Sequence, residues 1–232
     1  MPKTRRIKLQ EEISKIEKAC KLTDLAFEYI LGKIKAGVSE KEIAKLLRSF
    51  FKKFGAKVSF RPIVAFGKNS SEVHHKTNDS VLKKGDIIML DFGAKLDGYC
   101  SDMTRTFFFG KPTKKQKEIY EVVIAAQQKV IAAIESGERQ TSKLHDIANK
   151  YIQSSGFPSM PHSLGHGIGK KVHEAPCLSP KSKTILKEGM VFSIEPGIYI
   201  EGEGGVRIED LFVLEKTGLR KLTGASVNLE II

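Results

Sequence analysis

The chain has 232 residues, of which 41% are hydrophobic and 28% are charged. A chain of this length can bury a core without needing disulfides, and its composition argues against a disordered protein. Its 39 basic and 27 acidic residues give a net charge of +12. The basic residues are spread along the chain without interleaved aromatic residues, and this argues against a specific nucleic-acid surface.

Cysteine use and hydropathy indicate the environment of the protein. Cys20, Cys100 and Cys177 fit no zinc pattern and cannot form a closed disulfide framework. The basic N-terminus lacks the apolar run of a secretory signal, and no stretch approaches the ~20 apolar residues of a membrane span. We therefore expect a cytoplasmic protein with reduced thiols and no membrane contact.

The first part of the chain predicts two helices followed by a β-hairpin. Residues 11–33 carry apolar side chains at helical spacing, and 34–56 continue the helical part. A polar loop with two histidines then leads to the apolar strands DIIMLDFG and YCSDMTRTFFFG, and Asp97-Gly98 between them is a turn signal. Folding the hairpin about residues 96–97 places Asp91 roughly opposite Asp102.

The second part repeats this order. Thr113 is a candidate N-cap for a helix over 114–133, and a second helix is predicted at 141–153. The strands MVFSIEPGIYI and VRIEDLFVL, joined through EGEGG, form another hairpin and bring Glu195 near Glu209.

An internal repeat explains this order. The segment VLKKGDIIMLDFG (81–93) matches ILKEGMVFSIEPG (185–197) in its leucine, its glycines and the position of its carboxylate. Two copies are too few for a solenoid. We expect one α/β domain over residues 1–232, built from similar halves at about 6–110 and 111–224 that share a sheet, with no additional N-terminal domain.

Four carboxylates sit in or beside apolar strands, where an ionised group is costly unless it is paired or bound to a metal. Each one taken alone could cap a turn or meet an arginine such as Arg105 or Arg207. Four carboxylates at symmetric positions would repel one another without a cation, so a metal site is favoured. They are Asp91, Asp102, Glu195 and Glu209.

Histidines add another ligand type. His162, His166 and His173 lie within a Gly-rich segment between the two hairpins, whereas His145 falls in a predicted helix and is expected to have no role in the site. Carboxylates with imidazole suit Mn, Co, Zn or Fe. Four carboxylates suggest two bridged ions about 3.5–4 Å apart, an arrangement that can deliver a hydroxide and stabilise an oxyanion in hydrolysis.

These segments resemble the pita-bread metallopeptidases, the family of methionine aminopeptidase, aminopeptidase P and prolidase. The resemblance extends from about residue 6 to about residue 224. The residues that flank the candidate ligands are most similar to the Xaa-Pro branch of the family. The segments that carry it are DGYCSDMTRTFFFGKP, HSLGHGIGKKVHEAP, GMVFSIEPGIY, GGVRIEDLFVL and NSSEVHH.

The resemblance implies a pita-bread fold and a dinuclear metal site, with Mn or Co favoured and Zn or Fe as alternatives. It implies that Asp91 chelates one ion and that His166 and Glu195 chelate the other. Asp102 and Glu209 would bridge the two ions, and Glu195 would also act as general base toward the bridging hydroxide or water.

The same resemblance implies the residues that meet a peptide substrate. His74 and His173 would donate to the scissile carbonyl or to the oxyanion. His162 would line the proline pocket, and Arg207 would hold a bridging carboxylate or meet substrate. The implied activity is hydrolysis of an N-terminal Xaa-Pro bond.

Two departures from the Xaa-Pro branch bear on specificity. Aminopeptidase P and prolidase usually carry a further N-terminal domain, and here the chain starts almost at the catalytic domain. Cys177 replaces an arginine that often reads the dipeptide carboxylate in prolidases, which favours an aminopeptidase acting on longer peptides. Methionine aminopeptidase and a non-enzymatic binding module remain alternatives. The state of association, monomer or homodimer, stays open.

Overall fold

The computed structural model of the protein describes residues 6–227, so the predicted domain limits at 1–5 and 228–232 lie outside the described residues. The helices are α1 (Gln10–Leu31), α2 (Glu40–Lys53), α3 (Lys114–Glu135) and α4 (Thr141–Ser154). The strands are β1 (Lys57–Val58), β2 (Ile63–Phe66), β3 (Ile87–Phe92), β4 (Ala94–Leu96), β5 (Tyr99–Cys100), β6 (Met103–Phe108), β7 (Gly165–Gly167), β8 (Glu174–Leu178), β9 (Val191–Ile194), β10 (Gly197–Ile200), β11 (Gly204–Arg207), β12 (Asp210–Glu215) and β13 (Gly218–Lys221).

The predicted helices are present, and their starts follow from local capping. Thr113 accepts a hydrogen bond from the backbone N–H of Gln116, whose side chain accepts one from the N–H of Thr113. Ser39 and Glu42 form the same reciprocal cap on α2. Such caps satisfy backbone donors that have no partner inside the helix and stabilise it by about 1 kcal/mol.

The two predicted halves contain matching elements. Helices α1 and α3 each have 22 residues, and α2 and α4 each have 14. In each half the residue before the second helix forms an isolated antiparallel bridge, Ser39 to Val81 and Gln140 to Ile185. The halves therefore anchor their second helix in the same way.

All the strand pairs among residues 6–227 are antiparallel. The first half contains sheets of order β2-β3-β6 and β1-β4-β5, and the second contains β13-β12-β9-β7-β8 and β10-β11. Two large apolar clusters lie under the helices, one with α1 and α2 and one with α3 and α4. The predicted fold class, α/β with a mostly antiparallel sheet, is confirmed.

The first hairpin differs from the predicted register by two residues. Asp97 and Gly98 both have positive φ, at 50° and 81°, so they form the turn themselves. The register about this turn pairs Asp91 with Thr104 rather than with Asp102. Because side chains alternate along a strand, a shift of two leaves Asp102 on the same side as Thr104.

Close backbone approach explains Gly93, which follows β3. A Cβ at this position would collide with the carbonyl oxygen of Ser101 and would lie 3.2 Å from Cα of Asp102. The glycine therefore allows the end of β3 to pass directly against the segment that carries the second carboxylate.

The halves meet along a seam next to the carboxylates. Thr104 of β6 and Glu209, which precedes β12, form an isolated antiparallel bridge. Arg105 crosses this seam fully buried and donates to the carbonyl oxygen of Glu209 at 2.6 Å, to the carboxylate of Asp210 at 2.6 Å and to the carbonyl oxygen of Ala225 at 2.9 Å.

None of the helices in the described part of the chain combines the length and the apolar character that a membrane span requires.

Candidate metal centre

The nine residues predicted for metal or substrate binding line one cavity of about 160 Å³. Apolar side chains complete its wall: Phe60, Ile63, Val73 and Val172. The predicted residues around it are His74, Asp91, Asp102, His162, His166, His173, Glu195, Arg207 and Glu209.

The five predicted ligands lie in strands or directly beside them, in both halves. Asp91 lies in β3, and Asp102 lies between β5 and β6. His166 lies in β7. Glu195 and Glu209 lie just outside paired strands. On one side of them Gly197 pairs with Arg207, and on the other Ile194 pairs with Asp210, so the two glutamates lie opposite each other.

His166 lies at the centre of this group. Its Nε2 is 3.4 Å from Glu195 Oε1, 3.6 Å from Asp102 Oδ2 and 4.0 Å from Glu209 Oε1. Its Nδ1–H donates to the carbonyl oxygen of Gly167 at 3.1 Å, which leaves Nε2 as the acceptor facing the carboxylates. Burial lowers the pKa of His166, so its ring is available as a neutral ligand.

The carboxylates fit a divalent cation. Among residues 6–227, Asp91 Oδ1, Asp102 Oδ1 and Glu209 Oε1 are buried oxygens without a hydrogen-bond partner. Ligand atoms of Asp102, His166 and Glu209 lie within 4.8 Å of one another. Burial and then the neighbouring carboxylates raise the pKa of Asp102 and Glu209 well above their usual values. A cation would remove this repulsion and give the orphan oxygens a partner.

An arginine and a tyrosine bridge two of the predicted residues. Arg207 donates through Nη2 to Asp91 at 2.5 Å and through Nη1 to the Tyr199 hydroxyl at 2.7 Å. Tyr199 in turn donates to His162 Nε2 at 2.9 Å, and His162 Nδ1–H donates to the carbonyl oxygen of Ser163. The carboxylate that meets Arg207 is Asp91, which the resemblance treats as a terminal ligand rather than a bridging one.

Protonation states follow from this chain of contacts. Burial raises the pKa of Tyr199 to about 12, so the phenol keeps its proton and can donate. Burial lowers the pKa of His162, so its ring is neutral and can accept. Tyr199 was not singled out in the sequence, although it lies four residues after Glu195.

Two hydroxyl groups that the sequence reasoning missed hold the carboxylates. Thr104 donates to Glu209 Oε2 at 2.7 Å and accepts from Arg207 Nε at 3.2 Å. Ser193 donates to Glu195 Oε1 at 3.1 Å and accepts from the backbone N–H of His166 at 3.0 Å. Spacing is the signal that could have found them, since residues two apart on a strand share a face.

Two exposed histidines lie at the mouth of the cavity. The ring of His173 packs edge-on against that of His166, with the centroids 4.4 Å apart. His74 and His173 also line an adjoining cavity of about 570 Å³, together with Lys171 and Cys177. Both imidazoles are therefore accessible to a molecule that enters the cavity beside the ligand cluster.

Three other histidine and arginine residues do not contact the carboxylate or imidazole groups of the predicted ligands. His145 is buried in α4, and its Nδ1 is 3.7 Å from Asp146. Arg105 contacts Asp210 and not one of the four predicted carboxylates. His75 points into the protein and contacts Glu40 and Glu72, unlike its neighbour His74.

Comparison with known proteins agrees with this geometry. The sequence profile of metallopeptidase family M24 matches residues 14–216. An uncharacterized peptidase of Bacillus subtilis, YqhT, is 44% identical over 99% of this chain and 65% of its own length. An Xaa-Pro dipeptidase of Pyrococcus furiosus is 42% identical over 94% of this chain and 63% of its own length.

Solved structures give the same result. An X-Pro aminopeptidase from Thermotoga maritima superposes with a TM-score of 0.94 at 39% identity, over 98% of this chain and 65% of that one. A prolidase from Pyrococcus horikoshii superposes with a TM-score of 0.93 at 42% identity, over 97% of this chain and 65% of that one. The chain thus spans a little less than two thirds of the length of these relatives.

Proposed function

The chain belongs to metallopeptidase family M24, and on that premise we propose that it is an exopeptidase hydrolysing the bond between an N-terminal residue and a following proline. The observation that carries this proposal is the cavity itself. It combines a buried cluster of carboxylates and histidine with an apolar wall next to exposed imidazoles. Relatives named as Xaa-Pro dipeptidases at 42% identity support the choice of substrate.

We propose that two divalent ions, Mn or Co, are held by Asp91, Asp102, His166, Glu195 and Glu209, with Asp102 and Glu209 shared between them. The buried oxygens without partners support this assignment. Bound divalent ions lower the pKa of a coordinated water and polarise the carbonyl group of the peptide bond.

Glu195 is the proposed general base. Its carboxylate lies within the ligand cluster, with Oε1 3.4 Å from His166 Nε2, and could take the proton released by the attacking water. Ser193 orients it through a hydrogen bond to Oε1. The same carboxyl group can later return the proton to the leaving proline nitrogen.

The substrate-binding roles follow from the position of the side chains. His74 and His173 lie at the mouth of the cavity and would donate to the carbonyl oxygen as it gains charge. His162 would form the wall against the proline ring, held in place by Tyr199. The apolar side chains of Phe60 and Val172 suit a rigid and largely apolar ring.

We further propose that peptides longer than two residues are accepted. The cavity of about 570 Å³ adjoins the ligand cluster, and Cys177 lies in its wall. A thiol does not form the paired hydrogen bonds by which a guanidinium binds a carboxylate. A free dipeptide carboxylate therefore has no arginine partner at this position.

A panel of peptides tests the proposal. The Mn-loaded chain should cleave Ala-Pro-Ala and Ala-Pro, with the tripeptide preferred, and should not release Met from Met-Ala-Ser. Release of Met without cleavage before proline would contradict the proposal and favour a methionine aminopeptidase.

Metal analysis supplies the control for this panel. The purified chain should bind divalent ions that Asp102→Ala loses together with activity, whereas Asp146→Ala, which removes an exposed aspartate of α4, should keep both. A chain that cannot be loaded with any divalent ion would rule out a metallopeptidase activity.

A further inference from the structure

A buried histidine lies directly behind the substrate-binding loop. His74 is exposed at the cavity, and the next residue, His75, turns the other way, with 3% of its side chain exposed. Its Nε2 is 2.8 Å from Glu40 Oε2, and its Nδ1 is 2.8 Å from Glu72 Oε2. The imidazole therefore lies between two carboxylates.

Glu40 anchors this arrangement to a helix. It is the first residue of α2 and is fully buried. Besides His75, its carboxylate accepts hydrogen bonds from the backbone N–H groups of Phe66 and Asn78 and from the side chain of Asn69, at 2.8–2.9 Å. One buried carboxylate thus ties together both ends of the segment that carries His74.

The geometry specifies the charge of His75. An imidazole nitrogen without a hydrogen would point a lone pair at a carboxylate oxygen 2.8 Å away, so both nitrogens must carry a proton. Burial alone would lower the pKa of His75, but the hydrogen bonds and charges of Glu72 and Glu40 outweigh it, and the pKa is raised above the usual value.

Two carboxylates face the ring. Glu40 belongs to α2, and Glu72 belongs to the loop itself. The side chain of Glu72 is 66% exposed. The remaining polar neighbour is the uncharged side-chain amide of Asn78, 3.4 Å from Nε2. Lys41 and Asp79 lie nearby in sequence and pair with each other at 2.6 Å on the surface.

We propose that His75 is held as an imidazolium between Glu40 and Glu72 and acts as a positioning residue for His74, so that substrate binding depends on the charge of His75. The link to substrate rests on the proposed function, in which His74 contacts the peptide. The ion triad fixes the loop from behind, because the peptide bond joining the two histidines carries any movement of His75 to His74.

The sign of the pH dependence follows from the raised pKa. The triad stabilises the folded loop fully at pH values below the usual histidine pKa of about 6.5. Because the pKa of His75 in the folded protein is higher, the stabilisation persists at pH values between the two pKa values. This stabilisation is lost as the pH rises through the folded pKa. His74 should then lose its fixed position on the alkaline side.

Histidine NMR tests the charge directly. In the full chain labelled with ¹⁵N-histidine and loaded with diamagnetic Zn²⁺, both ring nitrogens of His75 should be protonated at pH 7. Glu72→Gln should move the titration of His75 to lower pH, whereas Asp79→Asn, which removes another exposed carboxylate of the same segment, should not. A single-protonated ring at pH 7 would overturn the proposal.

Kinetics tests the positioning role, with another buried histidine as control. His75→Gln should raise KM for Ala-Pro-Ala about tenfold, as expected for a lost hydrogen bond to a charged group, and should change kcat far less. The rise of KM at alkaline pH should disappear in this variant. His145→Gln removes a buried imidazole in α4 and should leave KM unchanged; an equal rise in both variants would mean that His75 is only structural.

The outcome does not depend on the proposed substrate. If the unaltered chain cleaves no Xaa-Pro peptide, the proposed function fails, and the ring signals of His74 decide the present inference. They should shift in His75→Gln and stay in place in His145→Gln. An unchanged His74 spectrum in His75→Gln would overturn the positioning role even in an active enzyme.

Discussion

Hydroxyl side chains next to the carboxylates determine how the ligand cluster is arranged. Thr104 holds Glu209, and Ser193 links Glu195 to the backbone of His166. The candidate ligands could be predicted because a carboxylate in an apolar strand is costly and therefore conspicuous. The hydroxyl groups were missed, since a serine or threonine in a strand is ordinary, and its position two residues from a carboxylate is a weaker signal than the carboxylate itself.

Removing one hydroxyl should weaken metal binding without removing a ligand. Thr104→Val keeps the shape of the side chain but leaves Glu209 Oε2 and Arg207 Nε without their common partner. We expect metal affinity to fall by about 10- to 100-fold, the usual effect of losing a group that orients a ligand. Isothermal titration with Mn²⁺ measures this loss.

The matched control is a buried threonine in the second half. Thr141 is the first residue of α4, and its hydroxyl forms hydrogen bonds with the hydroxyl of Ser182 and with the carbonyl oxygen of Thr184. Thr141→Val should lower stability and leave the metal affinity unchanged. Equal affinities in Thr104→Val and the unaltered chain would contradict the orienting role.

The raised carboxylate pKa values predict how the metal-free protein responds to pH. The pKa values of Asp102, Glu195 and Glu209 are raised by burial, so the folded state binds more protons than the unfolded chain above pH 4. Their contribution to the free energy of unfolding should therefore fall as the pH rises, by about 1.4 kcal/mol for each unit by which one pKa is raised. It should outweigh the opposite contribution of His162 and His166, whose pKa values burial lowers, because the pKa values of Asp102 and Glu209 are raised well above their usual values.

Thermal melting in the presence of a chelator checks this prediction. The metal-free chain should melt higher at pH 5.5 than at pH 8, and saturating Mn²⁺ should reduce or reverse the difference, because the ion stabilises the ionised cluster. The double variant Asp102→Asn, Glu209→Gln should show a smaller pH dependence without metal. A metal-free melting temperature that rises with pH would contradict the prediction.

At the scale of elements, local signals predicted the helices well and the strand pairing less well. The cap at Thr113 and the apolar spacing fixed the start of α3, because both act within one or two helical turns. The hairpin register was wrong by two residues, because it depends on which residues form the turn. Asp97 and Gly98 take positive φ together, and this moves the centre of the hairpin toward Asp102.

An ion pair between distant elements also escaped prediction. Lys8, just before α1, meets Glu174 at the start of β8 at 2.7 Å, and their side chains are 2% and 3% exposed. Glu174 also accepts from the backbone N–H of Lys171. The ion pair therefore holds the segment before α1 against the loop that contains His173, although Lys8 and Glu174 are more than 160 residues apart in the sequence.

Breaking this pair should be costly. Lys8→Met leaves the buried carboxylate of Glu174 without its cation, and we expect a loss of about 3–5 kcal/mol in the free energy of unfolding. Urea denaturation of the metal-loaded chain measures it. The double variant Lys8→Met, Glu174→Gln should recover part of the loss, because the unpaired charge is gone.

An exposed pair provides the comparison. Lys41 and Asp79 also lie 2.6 Å apart, but their side chains are 55% and 80% exposed. Lys41→Met should change the free energy of unfolding by less than about 1 kcal/mol, as usual for surface pairs. Similar losses in the two single variants would argue against a special role for the buried pair.

At the scale of the whole molecule, the repeat in the sequence predicted one α/β domain of two similar halves, and the resemblance of particular segments predicted the family. The paired carboxylate strands and the matching helices recur in both halves, so the elements of the first half predicted those of the second. The halves differ at the first residue of their second helix, where Glu40 holds the loop of His74 and Thr141 holds a turn through its hydroxyl. The seam between the halves could not be predicted, because Arg105 meets partners more than 100 residues away.

Arg105 should contribute to both stability and metal binding. Arg105→Gln removes one of two cations that face buried Asp210, the other being Lys221 at 3.0 Å, and removes the donor that holds the carbonyl oxygen of Glu209. Because Lys221 still faces Asp210, we expect a loss of about 1.5–3 kcal/mol in stability, together with weaker Mn²⁺ binding, measured by denaturation and titration. Arg220→Gln, at a half-buried pair with Glu215, should leave metal binding unchanged; a normal Mn²⁺ affinity in Arg105→Gln would contradict the link.

The isolated bridge between Thr104 and Glu209 affects the order in which the parts of the chain can fold during synthesis. Its residues are 105 positions apart, and pairing them closes a long loop whose entropic cost must be met by contacts elsewhere. Hairpins within each half can form early, whereas Asp102 and Glu209 can meet only after both halves have docked. A nascent chain therefore cannot capture an ion between these two carboxylates. A metal bound between them would therefore be selected by the folded protein, from the ions that surround it after folding.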